Sequence, residues 1–356
     1  MNASSLSFLK SLLHTPSPSG WEQEVQKKWI AYVRKFADTV TTDAYGNVVA
    51  TVNPKGTPHI VIAGHADEIG FMIQHISDEG FIYLTTIGGV DHSLALGQRV
   101  VIYGKKGEVR GVIGSLPIHL QDRTKDKTVT PLHELYVDVG ASSAKELESV
   151  AEVGDPVLYD AGTLELKNDI LVGRGLDNRI GIFAAAEALR ACALQKKKLT
   201  ACVHAISTIQ EENGHYGATM VAQTCPMDVA LTIDVGHATD IPLCDVKKFG
   251  KVKLGAGPVI SRGSVNHPVV VDRIKKVAAK SKIPFQLSTD PRWSSTDADA
   301  FFREHGGVPS AVISVPNRYM HSPVEMLHLC DLEQTAQLCA HFALDVKKAE
   351  SFGVVL

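Results

Sequence analysis

Nowhere do two of the six cysteines (Cys192, Cys202, Cys225, Cys244, Cys330 and Cys339) form a CxxC pair. Two of them lie in apolar, helix-like text and read as reduced thiols filling a core. A net positive charge is also lacking. The formal net charge is −3, and the one run of lysines is the short "QKKKL" at Gln195 to Leu199. Without a basic surface, nucleic acid is not an expected partner. No apolar run approaches the length of a membrane span, so no membrane partner is expected either. The opening "MNASSLSFLKSLLHTPSPSG" lacks a basic region followed by a long apolar one, so no signal peptide is read there. These absences together point to a reducing cytoplasm.

What is present is ordinary for a globular chain: 44% hydrophobic and 21% charged residues. A length of 356 residues suffices for one large α/β domain or for two domains. Residues 4–13 carry apolar side chains at helical spacing, and "TPSPSG" ends them with Pro and Gly. "GWEQEVQKKWIAYVRKFA" reads as a long amphipathic helix, "TVTTDAYGNVVATV" as two short strands, and "HIVIAGHADEIGF" as a buried strand. From residue 72 to 160 the text changes to short alternating segments divided by glycine, including "GFIYLTTIGG", "GQRVVIYGKKGEVRGVIGSL" and "ELYVDVGA". One short helix candidate, "SAKELESVAE", lies among them, and "GDPVLYD" looks like the closing strand. That pattern predicts a small β-barrel or sandwich. α/β text then resumes. Residues 1–71 and 161–356 therefore read as one discontinuous catalytic domain, interrupted by a β-rich insertion at 72–160.

The chemistry-bearing residues fall at one kind of place. His65, Asp67 and Glu68 follow "IVIAG"; Asp177 opens the helix after "VGRGL"; Glu211 and Glu212 follow "AISTIQ"; Asp234 follows "VALTI"; His321 follows "SVPNRYM". Each lies at or just beyond the C-terminal end of an apolar strand, and in an open α/β sheet such ends converge on one crevice. Two imidazoles with four or five carboxylates, and no thiol, suit a divalent ion such as Zn²⁺, Co²⁺ or Mn²⁺. One ion needs only three or four of these groups. The surplus suggests two ions roughly 3.5–4 Å apart that share a bridging carboxylate. Without cations, so acidic a cluster would repel itself and take up protons. Because side chains alternate along a strand, Glu211 and Glu212 are not expected to face one ion together. If Glu212 ligates metal, Glu211 projects over the space of a metal-held water, which is the place of a general base.

"GHADEIGFM", "GRGLDNRIG", "TIQEENGHYGA", "LTIDVG" and "RYMHSPVEM" together resemble the motif set of the glutamyl aminopeptidase family of dinuclear zinc peptidases. These are the tetrahedral aminopeptidases, some once named endoglucanases. The resemblance covers nearly the whole chain, including the insertion and the late "TDADAF". It implies a zinc-peptidase-like three-layer α/β/α catalytic domain with an inserted small β-barrel. It places His65, Asp177 and Asp234 on one ion, with Asp177 bridging to a second ion completed by Glu212 and His321. Glu211 is the base, and Asp67 orients the His65 imidazole. A cis peptide at Asp177–Asn178 is also implied. The activity implied is release of N-terminal residues from peptides with a free N-terminus, by a homo-oligomer: a dimer through the insertion, which also serves as a lid, with dimers building a twelve-subunit particle. Asn213, His215, Tyr216 and Ser295 depart from the common family text and bear on substrate preference.

Plainer readings exist for each residue alone. Asp177 could be a helix N-cap, Asp234 an Asx-turn residue before Gly236, and the paired glutamates a solvated strand end. Arg174 and Arg179 could simply balance charge beside Asp177, and Trp293 and Arg292 could border a substrate pocket. At the level of function, a metal-dependent deacylase or carboxypeptidase would use the same ligands. A glycoside hydrolase would need two carboxylates flanking the sugar bond and would leave the histidines unexplained. A non-enzymatic scaffold would have no need of Glu211.

Overall fold

A computed structural model describes residues 1–121 and 128–356. The chain forms two compact units. One comprises Met1–Glu68, Thr163–Met320 and Val324–Leu356; the other comprises Ile69–Gly162 with His321–Pro323.

The first unit is built on an eight-stranded sheet. In spatial order its strands are Thr39–Thr42, Val48–Val52, Cys202–Thr208, His59–His65, Val229–His237, Ser310–Asn317, Val259–Gly263 and Gln286–Asp290. The central four, Cys202–Thr208 through Ser310–Asn317, run parallel. Strands buried on both faces need near-continuous apolar text, and "HIVIAGH" and "CVHAIST" supply it. Side chains alternate between two cores. Ile60 and Ile62 join the layer that contains Trp29, Phe183 and Phe342, whereas Val61 and Ala63 join Ile206, Val221 and Phe301 on the opposite face. The result is three layers, with helices such as Leu176–Leu194 and Leu329–Asp345 on one side and Tyr216–Thr224 and Ala298–Phe301 on the other.

Two details fix the long central helix, one against the helix Gln23–Val33 and one against the sheet. The Trp29 indole N–H, fully buried, donates to the Ile182 carbonyl at 2.8 Å. Gly64 lies so near the helix that a Cβ there would stand 2.5 Å from the Gly181 carbonyl carbon. The amphipathic helix read over residues 20–37 is shorter, Gln23–Val33, because Lys35 and Phe36 close it with tight turn bonds to Tyr32 and Val33.

The second unit contains a closed barrel of six strands: Gly70–Ile76, Ile82–Ile87, Tyr136–Asp138, Gly107–Gly114, Arg99–Gly104 and Pro156–Tyr159. Pro156–Tyr159 pairs with both Gly70–Ile76 and Arg99–Gly104 and so closes the barrel. Phe71, Ile73, Val100, Ile102, Val137 and Val157 fill it. "SAKELESVAE" yields only one helical turn, Ala144–Leu147, in which Leu147 alone is buried. Among the described residues no helix is long and apolar enough to cross a membrane.

Candidate metal centre

Four chain segments of the first unit bring together six of the seven residues to which the family resemblance gives roles. His65 ends its strand, directly opposite Thr208 of the parallel neighbour. Asp234 lies in the strand Val229–His237. Asp177 is the second residue of the helix Leu176–Leu194 but has extended ψ 107, and the Asp177–Asn178 peptide is cis. The Asn178 amide donates to the Ile233 carbonyl at 2.8 Å, and the Asp177 N–H donates to Glu325 Oε2 at 3.0 Å. These bonds fix the start of the helix beside the strand that carries Asp234.

Strand alternation does not separate Glu211 from Glu212. The strand ends at Thr208, and Gln210 takes a left-handed φ of 51° before the two glutamates are reached. They lie on a turn, held by Asp67, whose Oδ1 accepts from the Glu211 N–H at 3.0 Å and whose Oδ2 accepts from the Glu212 N–H at 3.2 Å. The same carboxylate faces His65 Nδ1 at 3.3 Å and accepts from the Ser19 hydroxyl at 2.6 Å.

Around His65 Nε2 stand Asp177 Oδ1 at 3.3 Å, Glu211 Oε2 at 3.7 Å and Asp234 Oδ2 at 3.9 Å. Two donor triads result, His65–Asp177–Glu212 and His65–Glu211–Asp234, each with its donor atoms within 4.8 Å of one another. The donor set is hard oxygen plus imidazole, and its charge is concentrated out of water. Burial and the neighbouring Asp177 push the Glu212 and Asp234 carboxyls well above the usual carboxylate range. Burial opposes charging of His65 as well, yet Glu211, Asp177 and Asp67 drive it well above an ordinary histidine. Protons accumulate where carboxylates crowd without cations, so these residues fit divalent metal.

His321 belongs to the second unit, where its Nδ1 lies 2.9 Å from the Gly89 carbonyl oxygen. Glu68 stands apart from the donor set. Both arginines that flank Asp177 in sequence, Arg174 and Arg179, donate to it. Burial alone would raise this carboxyl, but the two guanidinium groups hold it at about 2.

The structure also adds residues that the sequence motifs left without a role. Asp297, buried within "TDADAF", accepts from the Thr208 hydroxyl and is pushed up to about 7 by burial and by Glu211. Glu22 accepts from the Gln210 N–H at 3.1 Å and is likewise pushed up to about 7, by burial and by Asp67. His215 places Nε2 3.1 Å from Glu211 Oε1. Trp293 is exposed, with the Arg303 guanidinium 5.6 Å from its ring centroid.

A parallel-centred sheet whose strand ends gather a histidine and several carboxylates is the arrangement of an α/β protein with a candidate metal centre in its crevice. Residues 46–338 match the family described as M42 glutamyl aminopeptidase, and the chain belongs to that family. The lysyl aminopeptidase of Pyrococcus furiosus is 32% identical over 96% of this chain and 97% of its own. A TET aminopeptidase from a marine-sediment thaumarchaeote superposes with a TM-score of 0.92 at 33% identity, over 96% of each chain. The TET1 peptidase of Pyrococcus horikoshii gives 0.85 at 32% identity, over 96% of this chain and all (100%) of its own. The protein is thus a metal-dependent aminopeptidase, a hydrolase of peptide bonds.

Proposed function

We propose that the enzyme removes N-terminal residues from peptides using two divalent ions, Zn²⁺ or Co²⁺, in the first unit. The observation that carries this reading is the crowding of Asp177, Glu211, Glu212 and Asp234 around His65, more donors than one ion needs. In this assignment His65, Asp177 and Asp234 would hold one ion, and Asp177 and Glu212 would contribute to holding the second. When bound, the ions supply Lewis acidity toward the scissile carbonyl and acidify water.

The chain's own groups do the rest. Glu211 takes the proton from the attacking water and returns it to the departing amine, while His215 Nε2 stands 3.1 Å from its Oε1. Asp67 orients the His65 ring through Nδ1 and at the same time holds the backbone of the glutamate pair, so one buried carboxylate positions both ligand and base. The free α-amino group of the substrate binds near an acidic side chain, giving exopeptidase selectivity.

The β-rich insertion, residues 72–160, serves in this reading as a dimerisation and lid module. The Pyrococcus horikoshii TET1 peptidase is described as assembling into a tetrahedron or a large octahedral shell, which supports a homo-oligomer of dimers, up to a dodecamer, here as well. A cytoplasmic location fits the reduced cysteines.

The test is an assay of the metal-reconstituted enzyme on aminoacyl-p-nitroanilides with acidic, basic and apolar side chains, alongside an N-acetylated control and a metal count. Turnover of free-amine substrates only, two metal equivalents per subunit at the catalytic centre and loss of activity in chelator are expected. Full activity in chelator, or equal turnover of the acetylated control, refutes the reading.

A further inference from the structure

The strand that ends at His65 begins at His59, six residues earlier and so about 20 Å away at the opposite edge of the sheet. In register beside His59 on the parallel neighbour is Cys202, and two residues further on the same face is His204. His204 is also paired across the antiparallel neighbour with Thr51. The sheet thus gathers one thiol and two imidazoles. His59 Nδ1 lies 3.0 Å from His204 Nε2, and Cys202 Sγ lies 3.4 Å from the same nitrogen. All three donor atoms fall within 4.8 Å of one another. Cys202 and His204 are buried, whereas His59 is only partly so.

We propose that His59 Nδ1, Cys202 Sγ and His204 Nε2 form a second cation site, selective for Zn²⁺ or a comparable thiophilic divalent ion, remote from the catalytic centre. The spacing supports a tetrahedral ion. With bonds of about 2.05 Å to nitrogen and 2.3 Å to sulfur, tetrahedral angles separate two nitrogens by roughly 3.3 Å and nitrogen from sulfur by roughly 3.6 Å. The observed separations are shorter by a few tenths of an ångström, which a small ring rotation supplies. A flat three-coordinate ion would need wider gaps still, so a fourth ligand, water, is assigned from the partly exposed His59 side.

The surroundings resemble those of a ligating histidine. His204 Nδ1 lies 2.9 Å from the Thr51 hydroxyl oxygen, and such an outer hydrogen bond sets the tautomer that leaves Nε2 free to coordinate. Burial, and then His59, push His204 down to about 4, so its ring is neutral and its lone pair available at physiological pH. The thiol is pushed up to about 11 by burial and then by Asp38, so a bound ion must displace its proton. The His59 backbone is held by its N–H to Asp228 Oδ2 at 2.7 Å, which fixes the first residue of the strand. None of these residues belongs to the donor set around His65, so the two sites are separable by experiment.

Cobalt distinguishes them. The catalytic donors contain no sulfur, so a near-ultraviolet thiolate-to-Co²⁺ charge-transfer band can arise only from a cysteine site. The full-length enzyme, stripped of metal and reloaded with Co²⁺, is expected to show this band and one more metal equivalent than Cys202→Ser. His59→Gln, at the more exposed position, tests the same claim should the buried serine disturb folding. Both variants are expected to lose the band and that equivalent while retaining wild-type peptidase activity. Absence of the band in the wild-type enzyme at excess Co²⁺, or its persistence in either folded variant, overturns the proposal and leaves a hydrogen-bonded triad only.

Discussion

Replacing Glu68 by glutamine tests how the floor of the catalytic region is held. The amide keeps the shape of the side chain but removes the charge that faces Arg174 and Arg179, the second of which has no solvent exposure at all. Breaking a buried ion pair from one side costs about 3–5 kcal/mol, because the remaining charge is left in low dielectric. The titration argument gives a similar figure. A carboxyl lowered from 4.5 to about 2 on folding contributes about 3 kcal/mol to stability at neutral pH. Because the folded-state value is depressed, this contribution is complete above pH 4.5 and is lost as the pH falls toward about 2. Glutamine does not titrate, so the gap between wild type and Glu68→Gln should be widest at neutral pH and close across that window. Urea unfolding followed by tryptophan fluorescence, at fixed protein concentration and several pH values, measures it. A variant within about 0.5 kcal/mol of wild type at neutral pH, the range of ordinary surface substitutions, would refute the reasoning, as would a gap that does not change with pH.

Glu211→Gln is expected to lower kcat by roughly 10²–10⁴-fold while metal content, measured by mass spectrometry, stays at the wild-type level, since only proton transfer is removed. Asp67→Asn should weaken metal affinity by about 10–100-fold in a competition titration, because the carboxylate at His65 Nδ1 also anchors the Glu211 and Glu212 amides. Unchanged affinity would remove Asp67 from the positioning of His65. Gly64→Ala should destabilise the fold by about 1–3 kcal/mol in thermal or urea unfolding, since its Cβ meets backbone atoms of the central helix and not a side chain that could move aside.

Much of this architecture is readable locally. The alternation of Ile60, Val61, Ile62 and Ala63 between two cores follows from continuous apolar text, and the barrel follows from short glycine-bounded segments. The candidate ligands are visible because charged residues directly after apolar strands are unusual. Pairings over long sequence distance are not visible in this way. Glu68 reads as one more acidic group beside His65 until the fold sets Arg174 and Arg179 against it. Ser295 takes a left-handed φ of 54°, a conformation that no local pattern of the sequence announces.

The one-dimensional text was enough to identify which residue types stand at which strand ends, because hydrophobic periodicity and the change from apolar to charged side chains are nearest-neighbour properties of the chain. Which of those groups share a volume was decided only by register and helix placement. The parallel pairing of Cys202–Thr208 with His59–His65 sets Thr208 beside His65 at one edge and Cys202 beside His59 at the other. The left-handed turn at Gln210, and not strand alternation, presents Glu211 and Glu212. The pairings of Thr208 with His65 and of Cys202 with His59 join residues more than a hundred positions apart, and no local pattern encodes them.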